Sequence, residues 1–138
     1  MAAAIKRPEL ALPAAFLSHF VIDAIPHYDH KDLLPNRTLY KLVISLDIIF
    51  SVVLLLILAT ALNRPAWLII SGGVLGILPD TMWLPAIITG KRAKMDQKNL
   101  LHFLRRFHAK IQWSESPKGA FVEAAWFLIM GLIILNLR

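Results

Sequence analysis

Read for its apolar and polar positions, the chain divides into four long apolar runs and one stretch in which apolar residues recur at helical spacing. The runs cover about residues 10–25, 39–62, 66–89 and 120–137. Each is predicted to be a helix, because a lone strand that long leaves its backbone groups unpaired in an apolar medium. Pro13 interrupts the start of the first run and Pro26 ends it. The second contains "IIFSVVLLLILATAL" and is broken only by Asp47 in its upper part. In the third, "AWLIISGGVLGILPDTMWLPAIIT", three glycines are followed by Pro79 and Asp80 near the centre. That pattern predicts a kinked or broken helix whose freed carbonyls are satisfied by neighbours or water. The fourth has Glu123 near its entrance and no later charge within the run.

Between the third and fourth runs, Leu100, Leu101, Phe103, Leu104, Phe107 and Ile111 repeat at helical spacing, with Arg105, Arg106 and Ala109 on the other side. The expectation is an amphipathic helix that lies on a membrane surface or caps the bundle. On that wheel His108 points inward, whereas His102 falls beside the arginines and faces water or headgroups. Gln112, one turn beyond His108, is placed to hold its ring or to touch a substrate.

Composition sharpens this outline. Of 138 residues, 57% are hydrophobic, above the usage of about 45–50% typical of soluble domains, and the mean hydropathy is +0.61. The sequence therefore reads as a single membrane-embedded all-α domain, residues 1–138: a polytopic bundle of about four apolar helices, the third broken at Pro79-Asp80, plus one amphipathic interfacial helix. No cysteine is present, which excludes disulfides, thiolate metal sites and a cysteine nucleophile. The net charge of +6 fits membrane orientation better than nucleic acid, since "RRFHAK" alone is a poor nucleic-acid signal. Lys31, Arg37, Lys41, Lys91, Arg92, Lys94, Lys98, Arg105, Arg106, Lys110 and Lys118 follow the first and third runs, against Lys6, Arg7, Arg64 and Arg138 on the other side. The positive-inside rule makes the first side cytoplasmic and predicts a multi-pass inner-membrane protein with its polar site on that face.

The chemistry concentrates in "SHFVIDAIPHYDH", residues 18–30. His19 and Asp23 are four apart and share one helical face. Pro26 then stops the helix so that His27 and Asp29 can return over its end. Such a set offers nitrogen and oxygen ligands to zinc or another divalent ion; the other reading is a buried hydrogen-bond network. Ionisable groups at membrane depth are costly and mark function by default. Asp80, at a helix break, is a candidate ligand or general base, and Glu123 ranks above Asp47 as a further base. No P-loop, GxSxG elbow or HExxH occurs. Metal-activated water is then the remaining hydrolytic route, with Asp29, Asp80 or Glu123 removing the proton. At headgroup level beside an amphipathic helix, a lipid-like ester or phosphoester is the expected substrate class, with membrane lipids as partners.

The motifs "LSHFVIDAIPHYDH", "GGVLGILPD" and "FHAKIQ" resemble the YdjM-like family of small bacterial membrane-bound metal-dependent hydrolases, over most of the chain. The resemblance implies an all-helical inner-membrane protein with a metal site formed by His19, Asp23, His27, Asp29, Asp80 and His108. Members of that family commonly open with a Thr-His pair on an additional helix. This sequence opens at "MAAAIKRPE", which implies a truncated start or one ligand fewer. The non-enzymatic alternative is a membrane protein whose His/Asp cluster is a structural clip, and an ion-transport subunit is a third reading.

Overall fold

The computed structural model of the chain describes residues 5, 7–28, 35–90 and 98–136. All regular structure among them is helical: α1 (Pro8–Asp23), α2 (Arg37–Ala61), α3 (Ala66–Ile77), a 3-10 segment (Leu78–Trp83), α4 (Leu84–Thr89), α5 (Leu100–Ile111) and α6 (Gly119–Leu135). Helix α1 starts earlier than its apolar run, with Pro8 in its first turn, where a missing N–H costs nothing. It also carries Pro13 without breaking. It stops at Asp23, just short of Ile25, whose backbone Pro26 biases away from the helical region. Asn36 caps α2 by accepting from the Leu39 amide at 3.0 Å.

The third run is broken where Pro79 and Asp80 predict it. α3 gives way to the 3-10 segment at Leu78, and α4 resumes at Leu84 with Pro85 in its first turn. Two of the carbonyls at this break have side-chain donors. The Thr81 hydroxyl donates to the Leu78 carbonyl at 2.7 Å, and Arg105 Nη2 donates to the Met82 carbonyl at 2.7 Å. Pro85 has no N–H to offer Met82 three residues back. Gly90 ends α4 at φ 67°, the left-handed conformation glycine adopts most cheaply. Lys41 Nζ reaches back from α2 to the Ile88 carbonyl at 3.1 Å.

α3 is the central element, packed between α1 and α2. Ala11 and Ala15 of α1 bury against Leu68. A Cβ added at Gly76 would meet only the Ala15 carbonyl, at an ordinary contact distance of 3.8 Å; the small side chains at this crossing are those of Ala11 and Ala15. On the other side Ala59, Leu62 and Ile69 form a second cluster, joined by Ile134 of α6.

Two segments are long and apolar enough to cross a membrane: α2, and the run from Ala66 to Thr89. α6 is apolar but shorter. The apolar side chains of α2 lie mostly outside the packed core, with Ile48, Ile49, Phe50, Val52, Val53, Leu56 and Ile57 all exposed. That distinguishes it from the buried core helix of a soluble domain.

α5 turns His108 inward as expected, but it also buries two residues of the side expected to be solvated. Leu100, Leu101, Phe103 and Phe107 are exposed, while His102, Arg105 and His108 are buried. His102, expected to face water or headgroups, is instead 5% exposed. The reason is local. Asn99 is the N-cap, and its Oδ1 accepts from the His102 amide at 2.9 Å and contacts His102 Nδ1 at 2.6 Å. The imidazole is thereby folded under the first turn.

Candidate metal centre

Three elements bring four donor groups together. α1 supplies His19 and Asp23, one turn apart; the 3-10 break supplies Asp80; α5 supplies His108. The atoms that meet are the two Nε2 nitrogens, Asp23 Oδ2 and Asp80 Oδ1. His19 Nε2 lies 2.9 Å from His108 Nε2, 3.2 Å from Asp23 Oδ2 and 3.5 Å from Asp80 Oδ1. His108 Nε2 lies 2.9 Å from Asp23 Oδ2 and 3.4 Å from Asp80 Oδ1.

These separations are those of ligands around one small cation. Four donors held tetrahedrally at 2.0–2.1 Å from a divalent ion are roughly 3.3 Å from one another, in the middle of the observed range. His108 is completely buried, His19 and Asp23 nearly so, and the Asp80 side chain is 58% exposed. The centre is therefore closed on the α1 and α5 sides and open at Asp80. Phe20 walls the closed side, with its ring 5.5 Å from that of His19 and 6.1 Å from that of His108.

An outer contact fixes the ring of His108. At His108, Trp83 Nε1 donates to Nδ1 at 3.1 Å. Indole is a donor only, so this bond puts the proton of a neutral ring on Nε2, facing Asp23. An ion on Nε2 requires the proton on Nδ1 and the Trp83 indole turned aside. The donor set and spacing fit a divalent cation, and Trp83 is the one group that has to move.

The other expected residues lie elsewhere. His27 is not brought to the cluster: its Nδ1 is 2.9 Å from the Ile25 carbonyl and its Nε2 is 3.9 Å from Glu115 Oε1. Glu123 Oε1 accepts from the Tyr28 amide at 2.9 Å, which ties α6 to the turn after α1. Both line an apolar groove with Ile22, Val122, Trp126 and Ile129. Asp29 is outside the described residues, and Asp47 is exposed on α2. Gln112 reaches Asp23 Oδ2 at 3.5 Å, so it supports the carboxylate rather than the His108 ring.

Trp83 and Arg105 were not singled out from the sequence. Trp83 lies three residues past Asp80 and Arg105 three before His108, so each is one turn from a cluster residue. Amphipathic patterning hid Arg105, because it assigned the arginines to a solvated face.

No known protein family matches the chain, and neither a curated protein nor a solved structure does. What fold and site define together is an all-helical protein with two helices able to cross a membrane and a His/Asp cluster able to hold a metal ion.

Proposed function

We propose that the chain is a multi-pass inner-membrane protein of the YdjM-like kind that binds a divalent ion, zinc by preference, and hydrolyses a lipid-like ester or phosphoester at the cytoplasmic face. The observation that carries this is the convergence of two imidazoles and two carboxylates, their donor atoms all within 4.8 Å of one another, with one side open at Asp80. Imidazole nitrogen with carboxylate oxygen suits zinc. The exposed apolar sides of α2 and α5 suit lipid, and the basic residues after α1 and α4 suit the cytoplasmic side.

In this reading His19, Asp23 and His108 hold the ion from the closed side. A divalent ion there supplies Lewis acidity and eases the deprotonation of water. Asp80 Oδ1, on the open side, receives the proton, and Phe20 and Trp83 exclude bulk water from the buried face. Gln112 keeps Asp23 oriented. Asp29, six residues past Asp23 in the sequence, is a second candidate base. Glu123, engaged by Tyr28, positions that turn.

A second reading has its own support. Four protein donors saturate a tetrahedral ion, as in structural sites, and the Trp83 to His108 to Asp23 bonds form a consistent polar network without one. The cluster is then a clip joining α1, the 3-10 break and α5. Turnover separates the two: the zinc-loaded protein in detergent is assayed with chromogenic phosphoesters and short-chain lipid esters beside Asp80→Asn. Zinc-dependent hydrolysis lost in Asp80→Asn supports the enzyme, whereas bound zinc without turnover of either class supports the clip.

A further inference from the structure

The side chains that α5 buries are all polar: His102, Arg105 and His108. His108 faces the cluster, with Nε2 2.9 Å from Asp23 Oδ2, and Gln112 at the end of the helix reaches the same carboxylate at 3.5 Å. Leu100, Phe103 and Phe107 point the other way and are 72%, 56% and 44% exposed. On the helical wheel these three fall together, opposite the arc of the buried residues. The two phenylalanine rings stack, 6.5 Å apart, into one stripe. A helix of 12 residues draws most of its stability from packing an apolar face. In α5 that face is turned away from the protein, so whatever lies outside has to cover it.

The charge around the stripe selects the cover. Lys98, just before α5, and Lys110, three residues past Phe107, are both exposed. Residues 98–114 contain no Asp or Glu. Trp113, just past the helix, is 77% exposed, and an indole there suits the headgroup level of a bilayer. An apolar stripe edged by lysines is the pattern of a helix lying in a membrane surface, where the ammonium groups meet anionic headgroups. A second copy of the chain offers the same stripe with the same cations and no acid to pair them.

We propose that the outer face of α5 docks on anionic phospholipid headgroups and that this docking orders the helix that carries His108. This rests on the membrane and metal reading above and adds lipid charge as the regulator of the same site. Lipid on one face and an ion on the other both favour the ordered helix, so each must strengthen the other. The full chain is reconstituted in nanodiscs of phosphatidylcholine alone and of phosphatidylcholine with phosphatidylglycerol in equal parts. Amide hydrogen exchange over residues 100–111 is followed without zinc, and zinc affinity is then measured in the same discs against empty ones. The variants are Phe103→Ser and the pair Lys98→Gln with Lys110→Gln, with exchange in α1 and α3 as the check that each is folded.

The expected result is exchange in α5 about fivefold or more slower, and zinc held about fivefold or more tighter, where phosphatidylglycerol is present. Both gains shrink in either variant, which separates docking from mere accumulation of zinc at a charged surface. Zinc bound in neither disc counts against the metal reading alone, because the exchange of α5 still decides this proposal. Exchange of α5 that ignores lipid charge, gains that persist in both folded variants, or bound zinc indifferent to phosphatidylglycerol overturns it. Protection confined to discs holding two chains marks a second copy as the occupant and overturns it as well.

Discussion

The Nε2 atoms of His19 and His108 stand 2.9 Å apart although 89 residues separate them along the chain. Two ring nitrogens that close require a shared proton or a shared cation between them. Asp23 Oδ2 lies within 3.2 Å of both, which supplies the counter-charge for either. Zinc binding tells the cation from the proton.

Asp23 touches both imidazoles, so its loss removes the common carboxylate. Asp23→Ala is expected to weaken zinc binding at least about 100-fold, beyond the 10–100-fold typical of losing an outer-shell partner. His27→Ala, whose ring faces Glu115, is expected to leave stoichiometry unchanged. Competition titration with a zinc-chelating dye measures both; equal losses would show that the turn carrying His27 closes over the cluster.

Trp83 gives an optical readout. Its indole must leave His108 Nδ1 when Nε2 binds an ion, so zinc addition is expected to change tryptophan emission and Trp83→Phe to remove most of that change. The same substitution deletes a competing donor, and zinc affinity should be equal or higher. A lower affinity would mean that Trp83 supports the bound state.

Gly119 is fixed by its neighbour. A Cβ there would collide with the His27 carbonyl, which also accepts from the Ser116 amide at 3.0 Å. Gly119→Ala forces that turn away from α6 and is expected to cost about 1–3 kcal/mol, as overpacking does. The check is thermal unfolding in detergent. Gly131, with open space around its Cβ position, is the control, and Gly131→Ala should be neutral or stabilising.

The helices and the break were legible in the sequence for plain reasons. Long apolar runs have one solution when backbone groups cannot reach water, and Pro79 with Pro85 removes two N–H donors within seven residues. His19 and Asp23 were legible because four-residue spacing stacks them on one face. The partnership with His108 was visible only as an inward direction on a wheel, since nothing local says what it meets. The orientation of α5 was misread at His102 and Arg105. The wheel assigned the side carrying the arginines to water or headgroups; here His108 and Arg105 turn toward Asp23 and the Met82 carbonyl, and Phe103 and Phe107 turn out. His27 follows the same lesson, because proximity in sequence to Asp23 placed it near the cluster and the turn at Pro26 carries it toward Glu115.

Topology is open to a chemical test because the chain has no cysteine. A single cysteine at Lys98 is expected to react with a membrane-impermeant maleimide only after the cytoplasmic side is exposed, and one at Arg64 only from the opposite side. The reverse pattern would invert the orientation inferred from the basic residues.

The most direct test of the central claim is elemental analysis of the detergent-purified, untagged protein beside His19→Ala, before and after zinc is offered. About one zinc per chain in the wild type, lost in the variant, is the result the His19/Asp23/Asp80/His108 site predicts. No metal in either protein, or equal metal in both, would contradict it and leave the four side chains as a buried polar network joining α1 to α5.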